Sequence, residues 1–134
     1  MARKNPEPPP VEPRVFRSAE EIEAGISKLQ RRVRELEDLD VTAAVVEDTS
    51  ADDVAESNVR ESIRDVFGSN SPEFQEHQHI RIWVGAMWMN MDSSDVIEAK
   101  DRGRRQVIGV LSGLIGRLRE KKEDLSGGIL STPS

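Results

Sequence analysis

The chain has 134 residues, 36% of them hydrophobic, 33% charged and 4% aromatic, with no cysteine and a formal charge of −6, and this bounds it at one domain plus tails. The missing cysteines exclude disulfide scaffolds, CxxC redox sites and cysteine-ligated zinc. No apolar run approaches the roughly 18–20 residues of a membrane span, and the N-terminus lacks a signal peptide's apolar stretch, so a cytoplasmic protein is expected.

Residues 1–17 hold five of the seven prolines. Proline removes backbone donors and favours extended chain, so a disordered tail is expected, with Val15 and Phe16 able to fold back on the first helix. Ser18-Ala19-Glu20-Glu21 then reads as a capping box. Behind it Ile22, Ile26, Leu29, Val33 and Leu36 step by four and three, the seam of a coiled coil, on a helix expected over about 19–39. Barely more than two heptads are present, so the stripe needs a later helix of this chain or a second copy. An acidic connector follows over 40–50, and Ser50 caps an expected helix over about 51–67 whose buried face is Val59, Ile63, Val66 and Phe67. Gly68 reads as its left-handed stop, and Ser71-Pro72-Glu73 restarts a short helix over about 72–79.

Residues 80–92 concentrate both tryptophans and three of the four methionines. Alternation of apolar residues about Gly85-Ala86 fits a short β-hairpin near 80–91; an irregular apolar loop or a continuation of the preceding helix fits nearly as well. Asp92-Ser93-Ser94-Asp95 opens a last helix over about 95–124, on which Val107, Leu111, Leu114 and Leu118 line one face. Gly109, Gly113 and Gly116 form a smooth strip that reads as a close helix contact, since each costs about 1 kcal/mol against Ala. Ser126-Gly127-Gly128 reads as its end, and 126–134 as a flexible tail. The expected fold is therefore mainly α: a small helical bundle of two long and two short helices spanning 18–125.

Charge is unevenly spread: about +2 over 1–17, −7 over 18–60, −5 over 61–98 and +4 over 99–134. Lys100, Arg102, Arg104 and Arg105 are the densest basic group, a candidate anion-binding or nucleic-acid site. The competing expectation is that they pair with the acidic connector, and a pI near 5.0 without interleaved aromatics disfavours nucleic acid. His77 and His79 would point about 200° apart on a helix, so no metal site is expected. There is no nucleophile elbow, phosphate loop or environment that would raise a carboxylate's pKa, so neither an enzyme nor a cofactor is expected.

The helix ending in Val66-Phe67-Gly68, the Ser71-Pro72-Glu73-Phe74 restart, the Trp/Met stretch and the closing Leu-rich helix with Arg and Lys resemble a known arrangement. Over about residues 59–125 it is similar to the helical region preceding TIR-like predicted nucleotide-binding domains of bacterial, defence-linked proteins. The TIR-like domain itself is absent, so the resemblance implies a sensing or oligomerising module and carries over no active-site residue. The expected function is protein–protein interaction, with self-association through Ile22, Ile26, Leu29, Val33 and Leu36, through Trp83, Met87, Trp88, Met89 and Met91, or through both. Tryptophan and methionine are favoured at adaptable interfaces.

Overall fold

The computed structural model describes residues 11–47, 49–80, 82 and 92–130, with side chains as far as Ser126. Among the described residues five helices run in order: α1 (Ala19–Asp38), α2 (Val41–Val46), α3 (Ala51–Phe67), α4 (Pro72–His77) and α5 (Ser93–Leu130). The mainly helical expectation holds. Its hairpin gains no support, because all but Ile80 and Ile82 of that stretch lie outside the described residues.

The stripe on α1 organises the bundle. Ile22, Ile26, Leu29 and Leu36 are buried, with Val33 packed at the edge. They meet Val107, Leu111, Leu114, Ile115 and Leu118 of α5 and Val59, Ile63, Val66 and Phe67 of α3 in one apolar cluster. Each such side chain removed from water contributes about 1.5–3 kcal/mol before chain entropy is counted. Contacts along the helices fix their directions. Glu23 pairs with Lys122 near one end of α1, and Arg104 donates to the Leu36 carbonyl at 3.2 Å near the other, so α5 runs antiparallel to α1. Lys28 pairs with Asp65 at 2.9 Å and Asn58 donates to Glu35 at 3.3 Å, so α3 is antiparallel as well. The seam is thereby consumed inside the chain, and a second copy reaching those four residues would have to displace α3 or α5.

Local signals account for most helix ends. Ser18 accepts from the Glu21 amide at 3.1 Å, and Ser71 from the Phe74 amide at 3.1 Å. Ser50, by contrast, makes no side-chain cap; its carbonyl receives the Val54 amide at 3.0 Å. Gly68 does end α3, but at φ 96° and ψ 152°, a region open essentially to glycine alone and distinct from the left-handed helical one expected. Residues 41–46 are a helix where a connector was expected. Asp40 caps the Ala43 amide at 2.9 Å, and burial of Val41 and Ala44 outweighs the weak helix preference of Val and Thr. α4 stops two residues short of the expected end, whereas α5 starts at Ser93 and continues through Gly127-Gly128 to Leu130. Glycine weakens a helix by about 1 kcal/mol and does not sterically block it as proline does, so propagation from a long formed helix carries through.

Residues 11–17, inside the stretch expected to be a tail, are docked. Arg14 donates to the Asp65 and Val66 carbonyls at the C-terminal end of α3 and also pairs with Glu21. Its guanidinium lies 4.8 Å over the Phe16 ring, and Phe16 meets Phe67 edge-on at 6.4 Å. One arginine thus serves carbonyls that the helix leaves unsatisfied, at the negative end of its dipole.

A candidate docking groove between the first and last helices

Lys100, Arg102, Arg104 and Arg105 sit on consecutive turns of α5, but acids of this chain already engage them. Lys100 pairs at 2.7 Å with Asp52, which is buried at the start of α3. Arg104 grips Asp101 at 2.7 Å, and Arg105 reaches the same carboxylate at 2.8 Å. The bond from Arg104, then its charge and that of Arg105, hold the Asp101 carboxyl below its ordinary value. Arg102 lies 3.9 Å from Glu98 on the exposed side. An incoming anion would have to compete with Asp52 and Asp101 for these donors.

The glycine strip of α5 does not mark a helix contact. A Cβ on Gly109, Gly113 or Gly116 would meet nothing within 4 Å. At 100° per residue these three lie on the face opposite Leu111, Leu114 and Leu118. The close approaches occur at two other glycines. A Cβ on Gly25 would lie 3.0 Å from Val66, and one on Gly103 would lie 1.6 Å from the Ile82 carbonyl oxygen. At this crossing Ile82 is fully buried, its amide donates to the buried Glu56 carboxylate, and Arg60 donates to the Ile80 carbonyl at 3.0 Å. Trp83, Met87, Trp88, Met89 and Met91, expected as interface residues, lie outside the described residues.

Beside the glycine strip, α1 and α5 leave a surface groove of about 440 Å³, lined by Gln30, Val33 and Arg34 from α1 and Ser112, Ile115 and Arg119 from α5. Its apolar lining is Val33, the edge of the coiled-coil stripe, and Ile115, the edge of the α5 stripe. Arg34 and Arg119 are exposed, and neither makes an ion pair among the described residues. Two free guanidinium groups on either side of an aliphatic strip suit an acidic, partly apolar segment. The sequence pattern did not single out this pair: Arg34 follows Arg31 and Arg32, and Arg119 lies among Arg117, Lys121 and Lys122, so each is one base among several on a charged helix. The usable signal was positional: antiparallel pairing of the two stripes brings their edges, Val33 and Ile115, together with the arginines that follow.

Among the described residues no group of three His, Asp or Glu side chains is placed to hold a metal ion. His77 lies 3.9 Å from Glu76, on a short helix whose Glu73 has one buried oxygen without a hydrogen-bond partner. No described helix is long and apolar enough to cross a membrane. No known protein family, curated protein or solved structure matches this chain.

Proposed function

We propose that this chain is a non-enzymatic protein-interaction module, and that its docking face is the α1/α5 groove. The observation that carries the reading is the contrast between two sets of bases. Those at 100–105 are engaged by acids of this chain, whereas Arg34 and Arg119 flank an aliphatic groove with no acid of their own. The original seam is replaced in this role by its edge, since Ile22, Ile26, Leu29 and Leu36 face inward. The partial resemblance to helical regions preceding TIR-like domains accords with a regulatory or oligomerising module of a bacterial defence-type system.

The test compares proteins that co-purify with the tagged wild type, with Arg34→Glu/Arg119→Glu, and with Arg102→Glu as a control on the other basic group. Circular dichroism should be the same for all three. Loss of partners from the groove variant alone supports the reading. Equal recovery with the groove variant and the wild type would remove the groove from consideration, and loss from the control alone would favour the anion-binding alternative at Lys100, Arg102, Arg104 and Arg105.

A further inference from the structure

The arm at residues 11–17 is held to the bundle at few points. Arg14 and Phe16 are partly buried while Val15 between them is 82% exposed, the alternation of an extended chain that Pro13 helps to fix. Arg14 reaches the Asp65 and Val66 carbonyls and the Glu21 carboxylate, Phe16 meets Phe67, and the Glu12 amide donates to the Asn70 carbonyl at 2.9 Å. Neither helix end beneath the arm depends on it for closure. The Ser18 hydroxyl caps α1, and the Gly68 amide returns to the Arg64 carbonyl at 2.7 Å to close α3. Nor is the arm close-packed on α5. An open cleft of about 470 Å³ remains beside Pro13, Val15 and Phe16, lined also by Ile22, Lys121 and Leu125.

From this geometry we infer that residues 11–16 are a releasable strap, and that the end of the bundle beneath them is a binding site for an extended Arg-x-aromatic segment, filled in the closed state by the chain's own arm. The site reads two side chains two residues apart, on one face of an extended peptide. The guanidinium divides its bonds, Nη1 donating to the two α3 carbonyls and Nη2 to Glu21, a task that suits a planar fork and not a lysine ammonium. The ring is received edge-on by Phe67. With so few contacts the arm opens locally, at a free energy well below that of the whole bundle. A segment of the same pattern on a partner protein then competes for the vacated place. This site shares no residue with the groove between α1 and α5 and does not rest on it.

The probe is the peptide Val-Glu-Pro-Arg-Val-Phe-Arg, residues 11–17 of this chain. It is titrated by NMR, into the millimolar range, against the full-length wild type and full-length Arg14→Ala/Phe16→Ala, whose arm is released; circular dichroism is recorded for both. The released variant should keep the wild-type helical content and bind the peptide, with amide shifts gathered at Glu21, Asp65, Val66 and Phe67. The wild type should bind about tenfold more weakly or worse, since a site open about a tenth of the time or less raises the apparent Kd in proportion. The same peptide carrying Arg14→Ala should leave those amides unmoved. A variant that loses helix would make the arm an integral part of the core and overturns the inference. So do a folded variant that ignores the peptide, equal affinities of the two proteins, and binding that survives loss of the peptide's Arg14. None of these outcomes bears on the groove, which keeps its own co-purification test.

Discussion

At the residue scale, the glycines of α5 divide sharply by what lies over them. Gly103 faces the Ile82 backbone, which cannot rotate away as the end of a side chain could, so Gly103→Ala must separate the crossing segment from the helix. We expect a loss of about 1–3 kcal/mol in denaturant-derived stability. Gly109→Ala and Gly113→Ala meet nothing within 4 Å, so the ordinary helix preference should prevail, with a gain of up to about 1 kcal/mol each. A destabilised Gly113→Ala, or an unchanged Gly103→Ala, would contradict this packing. Helical periodicity separates Gly103 from the strip, since it lies four residues before Val107 on the buried stripe; that a backbone segment from residue 82 crosses it was decided only by the tertiary structure.

At the element scale, α1 carries an inner row and an edge residue, and their costs should differ. Leu29 is fully enclosed, so Leu29→Ala should lose about 2–5 kcal/mol. That loss should be independent of protein concentration, because the cavity opens within one chain. Val33→Ala should cost much less in unfolding experiments, since Val33 is only partly buried. A concentration-dependent melting temperature for Leu29→Ala would instead place that residue between copies. The periodicity of α1 and the capping box before it were legible because both are local and repeated. The short α2 was not, since its Val-Thr-Ala-Ala-Val-Val run gains helical order from burying Val41 and Ala44.

At the scale of the whole molecule, surface pairing makes stability depend on acid. Bonds from the Arg14 side chain and the Arg17 amide hold the Glu21 carboxyl below its ordinary value, and Arg104 and Arg105 do the same for Asp101. A carboxyl whose folded pKa is depressed contributes fully above its unfolded pKa, and loses that contribution as pH falls through the folded one. Stability should therefore hold from neutral pH down to the ordinary carboxylate range and decline below it. Glu21→Gln and Asp101→Asn should each flatten that decline in urea titrations across pH. Both carboxylates are half-buried at the surface and remain in contact with solvent, so the effect is modest and shrinks with salt.

Helical class, the position of the three main helices and the existence of a short fourth one follow from the sequence alone. Caps and apolar periodicity act over a few residues and need no distant partner. The meaning of the charges was decided only by the tertiary structure. A dense run of bases looked like a binding site until α3 placed Asp52 against it, while two arginines 85 positions apart became neighbours through antiparallel packing. Whether a charge is free depends on what the fold brings beside it, and that contact is long-range. The thin core has the same explanation: the coiled-coil stripe finds its partner within the chain, leaving its edge as the groove.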